Sequence, residues 1–175
     1  MLGSTAAHLL FREPSLDPGT SEDWLRRLGV AGVRPIVHER CPDGESLAER
    51  LGLPLHQRAS SSRAPDTERV TSFSRSCHSV EECQDAQRCG AAFVLLSPVF
   101  PPSSKPLDRR QTLGISGLVA AQDALEIPVL GLGGITPERA SRIRAAGGFG
   151  VAVLGGVWAE PAPKVRLLDL LKATG

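Results

Sequence analysis

A parallel α/β barrel is the fold this sequence predicts, and three observations carry it. Short apolar runs of four or five residues alternate with amphipathic stretches along the chain, the pattern of a parallel sheet covered by helices. A doubly wound open sheet satisfies that pattern too, but no G-x-G-x-x-G follows the first run, so a dinucleotide fold lacks its fingerprint. The Gly-rich turns come late instead, at Gly131-Leu132-Gly133-Gly134 and Gly155-Gly156. Barrels hold phosphate there, in the loops after their last two strands. The strand count is seven, so the expected fold is a TIM-type (β/α) barrel one strand short of closure, as a single domain over residues 1–175.

In chain order, His8–Phe11 is the first predicted strand. A helix over Ser21–Leu28 follows, with Thr20 or Ser21 as cap and Glu22 and Asp23 as acids in its first turn. Arg34–His38, Leu53–His56 and Arg69–Phe73 are the next three strands. Ser79–Cys89 opens as Ser-Val-Glu-Glu, a capping box with two acids facing the helix dipole. Phe93–Leu96 and Pro128–Leu132 read as strands. Thr136-Pro137-Glu138 places a cap, a proline at the first helical position and an acid behind it, and that helix stops at Gly147-Gly148. Gly150–Leu154 is the last strand, and Lys164–Leu171 closes the chain as a helix.

Composition narrows the function classes. The chain has 175 residues, 41% hydrophobic and 22% charged, with Lys+Arg 20 against Asp+Glu 19. A net charge of +1, with 5 Phe, 2 Trp and no Tyr, gives no nucleic-acid footprint. No apolar run approaches a membrane span, so neither nucleic acid nor membrane is an expected partner. Cys41, Cys77, Cys83 and Cys89 form no C-x-x-C pair and read as reduced thiols rather than a zinc or redox motif. Met1–Phe11 lacks a basic, then apolar, leader. A cytoplasmic protein is expected.

Any anion must therefore be met by a local site. Gly133-Gly134 ends a strand and opens a helix, where backbone N–H groups and the helix terminus favour a phosphate. Gly155 and Gly156 complete that cup. Ser103, Ser104 and Lys105 follow another strand in a proline-stiffened loop suited to phosphate oxygens. Ser76 opens onto the same rim, with His78 as a turn or capping residue. His38, Glu39, Gln57 and Arg58 end two further strands, but their spacing gives no metal motif. The stretch from Arg58 to Pro65 reads as a solvated loop, with an active-site loop as the alternative.

These segments, in this order, resemble the thiamine phosphate synthase and thiazole tautomerase (TenI-like) superfamily. The likeness runs from Arg34 to Lys172 and is strongest from Arg75 to Gly156. It rests on Ser76-Cys77-His78-Ser79-Val80-Glu81-Glu82, Gly90-Ala91-Ala92-Phe93-Val94, Ser97-Pro98-Val99-Phe100-Pro101, Ser104-Lys105, Leu113-Gly114, Gly131-x-Gly133-Gly134-Ile135-Thr136-Pro137 and Gly150-Val151-Ala152-Val153. The resemblance implies a (β/α)₈ barrel, a phosphorylated thiazole or pyrimidine ligand, and coupling of a thiazole phosphate to an aminopyrimidine pyrophosphate with release of pyrophosphate. It implies magnesium at the departing charge. Carried over, Ser76 matches the serine near the pyrophosphate, and Ser104 and Lys105 match the end of a Thr-x-Thr-Lys motif, with Pro102 in place of the first threonine. Lys105 and Ser76 are thus the catalytic candidates. Gly133 and Gly134 match the thiazole-phosphate loop, and Gly155 stands where a serine is usual.

The departures are concentrated on the magnesium side. The family's Asn-Asp-Arg turn is His38-Glu39-Arg40 here, and its Gly-Gln-acid-Asp motif is His56-Gln57-Arg58-Ala59. Residues 12–33 hold no strand bearing the family's Gln-x-Arg-Glu-Lys, so the resemblance implies a barrel missing one βα unit near the N-terminus. The tautomerase's Arg-Ser-x-His-Ser segment is matched by Arg75–Ser79, while its catalytic histidine falls at Pro98. Alternative readings are a silent thiazole-phosphate-binding or regulatory homologue, and another phosphate-substrate enzyme on the same barrel. In the reading as an enzyme acting on a thiazole phosphate, Lys105 and Arg58 stand in for the metal's charge. The missing unit predicts an open seam between the first and second elements, filled by another segment or by a second subunit in a homo-oligomer.

Overall fold

The computed structural model describes residues 7–61, 63–66, 68–101 and 110–174. The described residues form seven strands: β1 (His8–Phe11), β2 (Arg34–His38), β3 (Leu55–Gln57), β4 (Phe73–Cys77), β5 (Phe93–Leu96), β6 (Val129–Leu132) and β7 (Gly150–Ala152). The helices are α1 (Pro18–Val30), α2 (Gly44–Leu51), α3 (Val80–Arg88), α4 (Gly114–Asp123), α5 (Pro137–Ala145), α6 (Gly155–Trp158) and α7 (Pro163–Thr174). All strand pairs are parallel, in the order β1-β2-β3-β4-β5-β6-β7. The sheet curls as a TIM-type (β/α) barrel short of one unit.

Strand alternation sorts the side chains into two layers. Val37, Leu55, Phe73, Val94, Leu96 and Val129 face outward and pack with Leu25, Leu47, Cys83, Leu118 and Ile143 of the helices. Ile36, Phe93 and Leu95 face inward, with Leu10, Leu130 and Ala152 against them. The inward residues of β2 to β4 are otherwise polar: His38, His56, Ser74 and Ser76 share the parity of Ile36 and Phe93.

Several expectations are corrected. The open seam does not fall between the first two elements: β1 pairs β2 directly, from His8↔Arg34 to Phe11↔Val37. The sheet edges are β1 and β7, with no ladder between them among the described residues. The fourth strand is Phe73–Cys77, not Arg69–Phe73. Asp66 takes the earlier segment into a turn, its carbonyl accepting from the Arg69 and Val70 N–H groups and its carboxylate from Glu68 N–H. The third strand starts at Leu55 rather than Leu53, after Pro54, which has no N–H to give the ladder.

At the helix ends, α1 is capped by Asp17, which accepts from Thr20 N–H at 3.0 Å and Thr20 Oγ1 at 2.6 Å. Thr20 and Ser21 therefore lie inside the helix, and Glu22 and Asp23 fall beyond its first turn. Ser79 caps α3 as expected, accepting from Glu82 N–H. Glu82, however, reaches His78 N–H at 2.7 Å, one residue before the cap, so the box is not reciprocal. α2, α4 and α6 were not among the predicted helices. No helix among the described residues is long and apolar enough to cross a membrane.

Candidate phosphate cleft and the rim around it

The loop after β5 is stitched beneath the loop after β6. Val99 N–H donates to the Leu132 carbonyl at 2.9 Å and Phe100 N–H to the Gly133 carbonyl at 3.2 Å. That close approach requires glycine above it. Gly134 has φ +59°, and a Cβ there would lie 2.5 Å from the Pro101 carbonyl oxygen. A Cβ on Gly156 would lie 2.7 Å from the Ile135 carbonyl oxygen, so the turns after β6 and β7 press on each other as well.

The result is a cleft of about 310 Å³ lined by Gly133, Gly134, Gly155 and Gly156 together. As the first two residues of α6, Gly155 and Gly156 have N–H groups without an intrahelical acceptor. Three arginines, Arg110, Arg139 and Arg166, and one acid, Glu160, also line it among the described residues. Arg166 pairs with Glu160 at 3.0 Å. Arg139 donates to the Gly134 carbonyl at 2.6 Å and lies over the Phe100 ring, 4.6 Å from its centroid. Its place is set by α5, where Thr136 caps Arg139 N–H at 3.3 Å.

None of the three arginines was singled out in the sequence. A signal existed for Arg139, because a cation in the first turn of a helix opposes the helix dipole. Such a local violation marks a position kept for another purpose. Arg110 carried no such signal. It reaches the ring of His78, whose Nδ1 donates to the Ser97 carbonyl at 2.8 Å, leaving Nε2 to accept from Arg110 at 3.2 Å. That contact joins residues 32 apart and exists only in the fold.

The remaining candidates divide. Ser103, Ser104 and Lys105 lie outside the described residues. Ser76 is inward and bonds His56 Nε2 at 2.8 Å, while Ser74 bonds His56 Nδ1 at 2.8 Å. His38 is inward and buried, its Nδ1 accepting from Arg40 N–H at 3.0 Å. Gln57, expected on the rim, instead shares the outward face of Leu55 and accepts from Arg75 at 2.7 Å. A shift of one strand position decides this, since successive side chains take opposite faces.

Burial strips water from both imidazoles and disfavours their charged forms. The pKa of His56 is lowered to about 3, chiefly by burial and then by His38. That of His38 is lowered to about 4, again chiefly by burial, with the Arg12 charge next. Both are neutral near pH 7.

The magnesium that the resemblance implies does not fit these residues. Glu39 is the one carboxylate at the expected place, and it is spent. Arg58 Nε pairs with it at 2.8 Å, Arg58 N–H donates at 3.1 Å, and Ser61 Oγ donates at 2.7 Å. Among the described residues no group of three His, Cys, Asp or Glu side chains is placed to hold a metal ion. Arg58 is held at Glu39 through its Nε and backbone N–H, and Ser61 of the segment after it folds back onto the rim.

A profile of the thiamine monophosphate synthase family matches residues 68–157, just over half of the chain. The chain belongs to that family. The matched region carries both glycine turns, Arg139 and the cleft lining up to Gly156, while Ala159, Glu160 and Arg166 of the cleft lie beyond it. A thiamine-phosphate synthase of Roseiflexus castenholzii is 40% identical over 85 residues, 49% of this chain and 37% of the relative. One of Geobacillus kaustophilus is 34% identical over 99 residues, 56% of this chain and 44% of the relative. The chain spans less than half the length of these curated relatives. Among solved structures, thiamine phosphate pyrophosphorylase from Pyrococcus furiosus superposes with a TM-score of 0.77 at 20% identity, covering 98% of this chain and 83% of that one. A 3-hexulose-6-phosphate synthase superposes at 0.65 and 16% identity, covering 88% and 79%. Both likenesses concern the fold. It is that of the family's barrel, and the cleft sits at the barrel mouth.

Proposed function

We propose that this chain binds a phosphorylated thiazole in the cleft between the loops after β6 and β7. The observation that carries the reading is the meeting of Gly133-Gly134, Gly155-Gly156 and Arg139 around one space of about 310 Å³. The phosphate sits at the unpaired N–H groups of the second turn, with Arg139 beside it as a charge-assisted donor. The apolar walls, Pro98, Leu132, Ala152 and Val153, receive the ring. Family membership supports the thiazole as the group carried on that phosphate.

A second reading keeps the family's coupling chemistry, in which an aminopyrimidine pyrophosphate meets the bound thiazole and pyrophosphate leaves, with Lys105 and Ser76 at the departing charge. Membership in the family favours it. The hydrogen bond of Ser76 to His56 and the spent Glu39 weigh against it.

Calorimetric titration with carboxythiazole phosphate tests the first reading. At ~100 times its Kd the ligand should add about 2.7 kcal/mol, a rise in midpoint of about 5–10 °C. Arg139→Gln should weaken binding about tenfold or more, as loss of a charge-assisted bond of roughly 1.5–3 kcal/mol requires. No binding at millimolar ligand, or equal binding by a phosphosugar, would reject the thiazole. Release of pyrophosphate from the two substrates would establish the second reading.

A further inference from the structure

The other half of the barrel mouth, β2 to β4, carries a buried polar constellation that the phosphate cleft does not use. His56 is 1% exposed and held at both ring nitrogens, by Ser74 and by Ser76. A neutral imidazole has one N–H and one acceptor, so one serine donates to the ring and the other accepts from it. The register sets His38 directly beside His56, with ring centroids 5.4 Å apart. At the rim next to them, Arg58 and Ser61 hold Glu39.

We propose that His56 is an internal plug: it fills the β2–β4 half of the mouth and occupies the Ser76 hydroxyl, so the chain admits one anionic ligand, on the β5–β7 side, and excludes a second. The β6–β7 cleft is not lined by His38 or His56. Neither is a groove of about 390 Å³ that borders Ser76 beside α3. The charges of that groove are engaged within the protein, Arg75 with Gln57, Arg88 with Asp85 and Glu82 with His78 N–H. Moving the ring aside would leave the fully buried Ser74 hydroxyl without its partner. The plug is therefore fixed rather than a gate.

Inorganic pyrophosphate, titrated calorimetrically, is the probe. The wild-type chain should bind at most one pyrophosphate, with an affinity that Ser76→Ala leaves within twofold. His56→Gly removes the ring and frees both serine hydroxyls. It should bind one more pyrophosphate per chain, and Ser76→Ala in that background should weaken the added site at least tenfold. The plug is overturned by a folded His56→Gly that keeps the wild-type stoichiometry, by an added site indifferent to Ser76, or by wild-type binding that Ser76→Ala weakens tenfold. If His56→Gly does not fold by circular dichroism, His56→Ala takes its place. If neither folds, the response of the wild-type chain to Ser76→Ala decides. Arg139→Gln reads the β5–β7 site separately, so the two readings fail independently.

Discussion

His38 and His56 make stability depend on pH in a direction fixed by their burial. Unfolded, each titrates near 6.5; folded, His38 titrates near 4 and His56 near 3. Between those values the unfolded chain binds more protons, so stability rises with pH, is complete above about 6.5, and falls below it. Each histidine contributes up to about 1.4 kcal/mol per pH unit in that window. Urea unfolding at pH 7 and pH 5 should differ by about 2–4 kcal/mol for the pair, and His56→Gln should reduce the difference by about half. An unchanged urea midpoint across that range would contradict the neutral, buried assignment. Gly156 answers to a different constraint. Gly156→Ala drives a Cβ against the Ile135 carbonyl, an overpacking worth about 1–3 kcal/mol, and should lower the thermal midpoint while weakening ligand at the cup.

At the scale of elements, α5 serves both stability and the site. Thr136 and Pro137 fix its start, and Arg139 works against the dipole that Glu138 favours. Thr136→Ala should cost about 1 kcal/mol through the lost cap, measurable as a lower urea midpoint. The start of this helix was legible because cap, proline and acid are adjacent in sequence. β4 was not legible for the opposite reason. Its inward residues, Ser74 and Ser76, are polar because they hold His56, so Phe73–Cys77 lacks the apolar signature of a buried strand. The sequence pattern pointed to Arg69–Phe73 instead, a segment Asp66 holds in a turn. The same residues that obscured the strand form the buried polar cluster around His56, where tertiary pairing overrides the local pattern.

For the whole molecule, the open sheet distributes stability unevenly. β4 and β5 are flanked on both sides and buried, whereas β7 is an edge of three half-buried residues. Native-state hydrogen exchange should show amides of β7 opening well below the global free energy and those of β5 near it. Equal protection across the sheet would mean that the seam is covered in solution. Leu154, Trp158, Val165 and Leu168 are exposed on the segments that follow that edge.

The sequence by itself determined the parallel α/β class, the count of seven strands and the late glycine turns, because each is written in neighbouring residues: apolar runs, caps and glycines act locally. The family's motifs were legible for the same reason. Tertiary structure decided what joins residues far apart in the chain. It closed β1 onto β2 where a gap was expected, turned Gln57 outward, and paired Arg58 with Glu39. It also gathered Arg110, Arg139 and Arg166 at one cleft and set His56 between two serines. Register and burial settle these, and both are properties of the packed sheet rather than of any single segment.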